Sequence, residues 1–167
     1  ILRISNLKIS YRVAGGRNAM AVDGASLSID EGEYLGLVGE SGCGKSTIAK
    51  AILGILPQTA LVSGSIRYRG RELLGLRPAE MRAIRWRDIA LVPQSAMNGF
   101  DPVYNIESQI AEAIAAHDAM PHAARQARIA ELFAMVGLPR ARLKDYPHQF
   151  SGGMRQRVLI AIALAAS

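Results

Sequence analysis

Apolar and polar residues alternate along the first part of the chain. After a slip that follows Ile4, the residues Leu7, Ile9 and Tyr11 share one face, and the alternation resumes over residues 22–29 after a short loop. A two-residue period is typical of strands that are buried on one side. The pattern therefore predicts an antiparallel hairpin at the start of the chain.

The pattern changes after residue 33. Residues 34–38 are apolar without alternation, a glycine-rich loop follows, and residues 46–56 place apolar side chains at helical spacing. Residues 89–92 form a second run without alternation. Such runs are typical of strands that are buried on both faces of a parallel sheet, so the order strand, loop, helix predicts an α/β core.

Most of the remaining chain has helical spacing. Helices are predicted over 106–116, 123–136 and 152–166, and a short strand over 63–70 and a short helix over 78–85 precede them. No strand is predicted between the first two of these helices. This order of elements predicts a helical insertion into the α/β core.

Composition restricts the class of protein. The chain has 167 residues, half of them apolar and a fifth charged, which predicts one globular domain. The single cysteine, Cys43, cannot form an internal disulfide, which favours a reducing compartment. The longest strongly apolar stretch, 158–166, is about half of the ~20 residues that a membrane span needs.

The net charge of +6 suits anionic ligands without choosing among them. Arginine is dense between residues 67 and 87, and the acidic residues Glu72, Glu80 and Asp88 lie among or directly after these arginines. This segment is either a solvated face with local ion pairs or an anion-binding patch.

One motif carries specific chemistry, and it reads Gly39-Glu40-Ser41-Gly42-Cys43-Gly44-Lys45-Ser46-Thr47. It matches the phosphate-loop pattern and lies between a predicted strand and a predicted helix. Glycines let backbone N–H groups face phosphate oxygens, and the helix N-terminus adds positive charge. Lys45 is expected to reach the β- and γ-phosphates and the Ser46 hydroxyl to bind Mg²⁺, the alternative being a glycine-rich turn without a ligand. Cys43 is either an inert small residue or a thiol that alkylating agents attack unless nucleotide is bound.

Three weaker signals accompany the loop. Ser151, Gly152 and Gly153 begin the last predicted helix, where they either cap it or hold a phosphate. Gln94 follows a predicted strand at the end where α/β sheets bind ligands. Tyr11 is either a core aromatic or a stacking surface for a base.

Taken together, these motifs resemble the nucleotide-binding domain of an ATP-binding cassette (ABC) transporter. Further segments resemble the ATPase subunits of dipeptide, oligopeptide and nickel importers: Pro93-Gln94-Ser95-Ala96-Met97-Asn98, Asp101-Pro102, Gln109-Ile110 and Gln149-Phe150-Ser151-Gly152-Gly153-Met154-Arg155-Gln156-Arg157-Val158. Two positions depart from the family pattern, because Phe150 stands where leucine is normal and Met154 replaces the common glutamine.

The resemblance implies a fold and a set of roles. The fold is α/β, a P-loop NTPase (ABC ATPase) core with an N-terminal antiparallel β subdomain and an inserted helical subdomain. Tyr11 would stack on adenine, and Gln94 would sense Mg²⁺ and the attacking water. Residues 151–153 would close over the ATP of a partner subunit. The divisions expected are 1–95 for the β subdomain and P-loop core, 96–150 for the helical subdomain, and 151–167 for the signature motif and its helix.

The resemblance also implies a setting at the cytoplasmic face of the inner membrane. The partners are a second ATPase subunit in a head-to-tail dimer, transmembrane permease subunits and, indirectly, a solute-binding protein, with no nucleic acid. In the family, the Mg²⁺-associated aspartate, the catalytic glutamate and the switch histidine follow the signature helix, and the chain shows none of them by Ser167. We therefore expect an incomplete domain that binds ATP and hydrolyses it negligibly by itself. The alternatives are an ABC ATPase that acts on nucleic acid or ribosomes, and a binding module without catalysis.

Overall fold

The computed structural model describes residues 1–94 and 99–165, and the chain divides into two compact units, Ile1–Arg82 and Ala83–Ser167. The strands are β1 (Leu2–Arg12), β2 (Asn18–Ile29), β3 (Ala60–Tyr68) and β4 (Arg71–Glu72). The helices are α1 (Lys45–Ile52), α2 (Pro78–Ile84), α3 (Ile106–Ala115), α4 (His122–Met135) and α5 (Gly152–Ala163).

The first unit contains an antiparallel sheet with the strand order β2-β1-β3-β4. Its buried side chains follow the predicted alternation: Leu2, Ile4, Leu7 and Ile9 on β1, Val22 on β2 and Ile66 on β3. The predicted opening hairpin is confirmed, because β1 pairs with β2 from Leu2–Ile29 to Arg12–Asn18.

The slip after Ile4 is a bulge in β1. Asn6 has a φ of 47°, and its backbone N–H donates to the Ser26 hydroxyl at 2.9 Å. On β3, Gly64 faces the Asn6 carbonyl so closely that a Cβ there would lie 2.4 Å from the oxygen. The bulge restores the inward face for Leu7, and glycine at position 64 makes room for it.

Two predicted strands are absent from the described structure. Residues 34–38 are irregular, with Tyr34 100% and Val38 95% exposed, and residues 89–92 form only an isolated bridge between Ile89 and Arg85. The prediction of buried parallel strands was wrong for this chain. A strand of a parallel sheet needs a backbone partner that is distant in sequence, and no described strand pairs with either segment.

Helix α1 is shorter than predicted. It begins at Lys45 and ends at Ile52, because Gly54 takes a left-handed conformation with φ 60° and its N–H returns to the Ala51 carbonyl. This is the glycine C-terminal stop that the sequence indicated, placed one turn before the predicted end.

The second unit is helical, and its predicted helices are confirmed to within a few residues. Asn105 caps α3 by accepting the Ser108 N–H at 2.9 Å. The largest core side chains that are less than 2% exposed come from all three helices: Ile106, Ile110 and Ile114 on α3, Ile129, Leu132 and Phe133 on α4, and Val158 on α5. No helix in the described part of the chain combines the length and apolar character needed to cross a membrane.

Ion pairs account for part of the arginine-dense segment. Glu80 pairs with Arg71 at 2.7 Å and with Arg77 at 3.0 Å, and Glu72 lies 3.7 Å from Arg67. These contacts favour the interpretation of a solvated, ion-paired face for those three arginines.

Two sets of positions lie outside the described residues. One is Ser95, Ala96, Met97 and Asn98, which contributed to the family resemblance, and the other is the end of the last predicted helix at Ala166.

Candidate functional site

The phosphate-loop motif connects the irregular segment 34–38 to α1 in the first unit. Gly44, the residue before α1, has a φ of 95°, and a Cβ there would lie 2.4 Å from the Ala21 carbonyl oxygen of β2. A Cβ on Gly39 would lie 2.7 Å from the Cys43 Sγ. The loop therefore needs glycine at position 44 to close against the β2 backbone, whereas a side chain at position 39 would require the Cys43 side chain to move.

Lys45 reaches back over this loop. Its Nζ donates to the Gly39 carbonyl at 2.8 Å and the Glu40 carbonyl at 2.6 Å, and it lies 3.3 Å from the Cys43 Sγ. The ammonium is thus held above the loop by the loop's own carbonyls, between the exposed residues 39–43 and the first turn of α1.

The start of α1 is suited to an anion. Gly44 supplies no side-chain cap, and the first turn contains no acidic residue. The N-terminal N–H groups and the helix dipole are therefore not compensated by a carboxylate within that turn. A phosphate group fits this chemistry, and Ser46, which is exposed on the first turn, offers a hydroxyl beside it.

Tyr11 lies near the end of β1, where it pairs with Ala19 of β2 and Ala60 of β3. Its side chain is half-buried. In the described residues, no hydrogen bond or ring contact joins it to the phosphate loop. Whether Tyr11 belongs to the core or stacks on a base therefore stays a prediction.

In the second unit, Ser151 is the N-cap of α5. Its Oγ accepts the Met154 N–H at 3.4 Å, and α5 carries no acidic residue in its first turn. Gly152 and Gly153 are exposed, and a Cβ at either position would meet nothing within 4 Å. Steric crowding therefore does not require glycine at positions 152 and 153. The lack of side chains there leaves the backbone N–H groups of the first turn accessible.

Gln94 is exposed at a bend, directly after Pro93. The side chain of Gln156, one turn into α5, donates to the Pro93 carbonyl at 3.1 Å. A hydrogen bond therefore connects the segment that carries Gln94 to α5, the helix that Ser151 caps. The sequence analysis named Gln156 within the family-like segment but assigned it no contact, since no local spacing points to a partner 63 positions away.

Gln109 is a second residue whose role only the structure shows. Its side-chain amide accepts the Asp101 N–H at 3.1 Å and donates to the carbonyls of Asp101 at 3.0 Å and Tyr104 at 2.9 Å. It shapes the loop 101–104 from within α3. Beside that loop lies an open groove of about 740 Å³, with Trp86, Tyr104 and Glu112 in its lining.

No group of three or more His, Cys, Asp or Glu side chains in the described ranges could hold a metal ion. In phosphate loops, the hydroxyl that follows the lysine is a ligand of Mg²⁺, and Ser46 stands at that position in the sequence.

Comparison with known proteins places these features in a family. The sequence profile of the family described as "ABC transporter" matches residues 22–167. The chain is 40% identical over 168 residues to the dipeptide transport ATP-binding protein DppD of Bacillus subtilis, covering 98% of the chain and 50% of that protein. It is 43% identical over 170 residues to the oligopeptide transport ATP-binding protein OppD of Mycobacterium tuberculosis, covering 99% of the chain and 27% of that protein. The chain thus spans half or less of these relatives.

Comparison with solved structures also finds ATP-binding cassettes. The chain is similar to the ATP-binding cassette MJ0796 in a dimeric post-hydrolysis state bound to ADP and Pi, with 28% identity and a TM-score of 0.85. The match covers 99% of the chain and 70% of that structure. The fold class and the family resemblance predicted from the motifs are confirmed. The roles of individual site residues stay predictions.

Proposed function

The chain belongs to the ABC transporter family, and we propose that it is part of the ATP-binding motor subunit of a peptide importer. The observation that carries the proposal is the position of Lys45, whose ammonium is held over the glycine loop at the uncapped start of α1. A fixed cation beside free helix N–H groups is the arrangement that binds the phosphates of a nucleotide.

Each proposed contact to ATP uses a different property of the residue. The backbone N–H groups of residues 39–44 and of the first turn of α1 surround the phosphates, and Lys45 neutralises their charge. The Ser46 hydroxyl would hold Mg²⁺, which would supply charge neutralisation at the phosphates. Gln94 keeps the role that the family resemblance implies, that of a sensor of Mg²⁺ and of the attacking water. Thr47 follows Ser46 in the same turn, and Tyr11 provides a ring for the adenine.

Ser151, Gly152 and Gly153 serve a second nucleotide. The exposed first turn of α5 offers a hydroxyl and backbone N–H groups at a positive helix end. In a head-to-tail dimer, this turn closes over the γ-phosphate of the ATP that the partner subunit binds. The dimeric form of the similar cassette supports a dimer as the working unit.

The second unit carries the contact to the membrane-spanning permease subunits. Two aromatic residues of the groove, Trp86 and Tyr104, are 38% and 57% exposed, and exposed aromatic side chains are enriched where proteins associate. Closure of the ATPase dimer would move this groove at the cytoplasmic face of the inner membrane. A solute-binding protein contributes only through the permeases.

Peptides are the proposed solute. The two relatives described above are named for dipeptide and oligopeptide transport, which favours peptides over nickel. No observation favours the alternative of an ABC ATPase acting on nucleic acid or ribosomes. Uptake of a labelled dipeptide and of nickel by cells that carry the wild-type or the Lys45→Ala subunit separates these functions, and only dipeptide uptake should depend on Lys45.

Nucleotide binding is the direct test of the site. The 167-residue chain, its Lys45→Ala variant and its Lys50→Ala variant are titrated with a fluorescent ATP analogue and Mg²⁺. Lys50 is a matched control, because it is an exposed lysine on the same helix with its side chain outside the loop. We expect Lys45→Ala to lower the affinity at least about tenfold, as loss of a charge-assisted contact predicts, and Lys50→Ala to leave it within about twofold. Equal affinities for all three chains would disprove the assignment.

Binding of ATP does not by itself imply that the chain hydrolyses it. None of the residues assigned above is a general base, so we propose that the 167-residue chain by itself binds ATP and releases phosphate no faster than its Lys45→Ala variant.

A further inference from the structure

We propose that Arg142 is the positioning residue of the signature segment, defined here as residues 149–153. The inference rests on the proposed function, because it assumes that this segment closes over a partner's ATP. Arg142 lies on the short 3₁₀ turn Arg140–Arg142, outside every motif that the sequence analysis identified.

The guanidinium of Arg142 contacts the chain on both sides of Ser151. Its Nη2 donates to the Gln149 carbonyl at 2.7 Å, and its Cζ lies 4.6 Å above the centre of the Phe150 ring. Its Nη1 lies 3.5 Å from the Met154 Sδ. One side chain therefore fixes a backbone carbonyl before Ser151, the buried ring next to it and a side chain in the first turn of α5.

Residues 143–145, which directly follow Arg142, are bonded to the N-terminus of α3. The Leu143 carbonyl accepts the Glu107 N–H at 2.9 Å, and the Asp145 carbonyl accepts the Ile106 N–H at 3.0 Å. These bonds satisfy two of the N–H groups that a helix N-terminus leaves free. The Lys144 ammonium adds an ion pair of 2.7 Å to Glu107. The Arg142 Nε, in turn, donates to the Asp145 carboxylate at 2.7 Å.

The signature segment needs such a support at Phe150 and Ser151, which lie between the 3₁₀ turn Pro147–Gln149 and α5 and belong to neither. Phe150 and Ser151 are extended, with φ and ψ of −98° and 141° and of −64° and 163°. Phe150 is only 3% exposed, whereas Ser151 and the two glycines that follow are exposed. The chain must therefore bury one residue and present the next three, and the contacts to the Gln149 carbonyl and the Phe150 ring fix where that change occurs.

Only a guanidinium makes these contacts together. Its plane stacks on an aromatic ring while its N–H groups donate in fixed directions to a carbonyl and a carboxylate. A lysine keeps the charge and can pair with Asp145, but its ammonium cannot both cover the ring and hold the carbonyl. Arg142→Lys is therefore the informative conservative variant.

The test uses the full-length subunit assembled in its transporter, with Arg142→Gln and Arg142→Lys compared at a temperature below the unfolding of each. We expect KM for ATP to stay within about twofold, because the phosphate loop is untouched, and kcat to fall about tenfold in both variants. Arg140→Gln is the matched control, since Arg140 is exposed on the same turn, and it should keep kcat within about twofold.

Lys45→Ala in the same assembly distinguishes the two proposals. If Lys45→Ala leaves hydrolysis unchanged, the proposed function fails whatever Arg142 does. If Lys45→Ala abolishes hydrolysis while Arg142→Gln keeps kcat, or Arg142→Lys restores it, the positioning role is overturned. A rise in KM that parallels the loss of kcat, or loss of the folded subunit in both Arg142 variants, also overturns it, because Arg142 would then stabilise the whole unit instead of the signature segment.

Discussion

The side-chain amide of Gln156 donates to the carbonyl of Pro93 at 3.1 Å, and so joins two residues that are 63 positions apart. Pro93 precedes Gln94, the proposed sensor of Mg²⁺ and water, and Gln156 lies in the second turn of the helix that Ser151 caps. One hydrogen bond therefore connects two segments that are proposed to contact different nucleotides.

Removing this bond should weaken the connection without affecting the phosphate loop. In the assembled transporter, we expect Gln156→Met to lower kcat for ATP several-fold and to leave KM within about twofold. The effect on folding stability should be no more than about 1 kcal/mol, the net value of one hydrogen bond. Gln58→Met, an exposed glutamine in a turn, is the control. An unchanged kcat would show that the bond is not used in turnover.

Gly44 should tolerate no side chain. Alanine there is strained by the φ of 95° and also places its Cβ 2.4 Å from the Ala21 carbonyl oxygen, which forces β2 or the loop to move. Gly32→Ala is a matched control, since Gly32 has a φ of 77° and open space around it. We expect Gly32→Ala to lower the free energy of unfolding by about 1 kcal/mol, and Gly44→Ala by clearly more together with loss of ATP binding. Similar losses in the two variants, measured by urea unfolding, would mean that the contact with Ala21 relaxes freely.

Cys43 should report occupancy of the loop. Its thiol is exposed, and its Sγ lies 3.3 Å from the Lys45 Nζ that is proposed to hold phosphate. We expect N-ethylmaleimide to label the chain at this one cysteine and MgATP to slow the labelling at least about fivefold. The Cys43→Ser variant should not be labelled, and the Lys45→Ala variant should lose the protection. Labelling rates that ignore MgATP in the wild-type chain would contradict the placement of the nucleotide.

The buried carboxylate of Glu107 should make stability depend on pH. A hydrogen bond from Lys144 lowers the pKa of Glu107 below its ordinary value of 4.5, burial opposes that shift, and a hydrogen bond from Gln126 adds to it. Because the folded pKa lies below the unfolded one, this stabilisation is complete above the unfolded pKa. It is lost as the pH falls through the folded value.

We therefore expect Glu107→Gln to destabilise the chain at neutral pH by about 1.5–3 kcal/mol, the range for hydrogen bonds to a charged group. The difference from the wild type should shrink below pH about 4.5. Glu72 also has a lowered pKa: burial alone would raise it, but hydrogen bonds from the Ser65 hydroxyl and from the Ile66 and Leu74 N–H groups together lower it. Subtracting the variant's free energy of unfolding from that of the wild type at each pH isolates the contribution of Glu107. A difference that does not change with pH would argue against a stabilising role for its carboxylate.

Local pattern was enough for much of the fold. The hairpin β1–β2, the slip in alternation after Ile4, the glycine loop and the helices α3 and α4 were all predicted, because each depends on neighbours in sequence: alternation, a turn, or apolar spacing along one helix face. The family, too, was identified from the order of short motifs.

The segments 34–38 and 89–92 show where local pattern fails. Their apolar runs predicted buried strands, yet neither belongs to a strand of the described residues. In a hairpin, the partner strand follows within a few residues, whereas a parallel strand depends on a partner from a remote part of the chain. An apolar run indicates that a segment favours burial. It does not specify which other part of the chain packs against that segment.

By itself, the sequence determined which functional groups the phosphate-loop motif carries, since its glycines, Lys45 and Ser46 are neighbours along the chain. Only the tertiary structure decided that Arg142 supports the residues on both sides of Ser151 and that Gln156 reaches Pro93. These contacts depend on how α3, α4 and α5 pack around their shared core. Packing brings together side chains whose distance along the chain carries no periodic signal, so no local pattern could have predicted them.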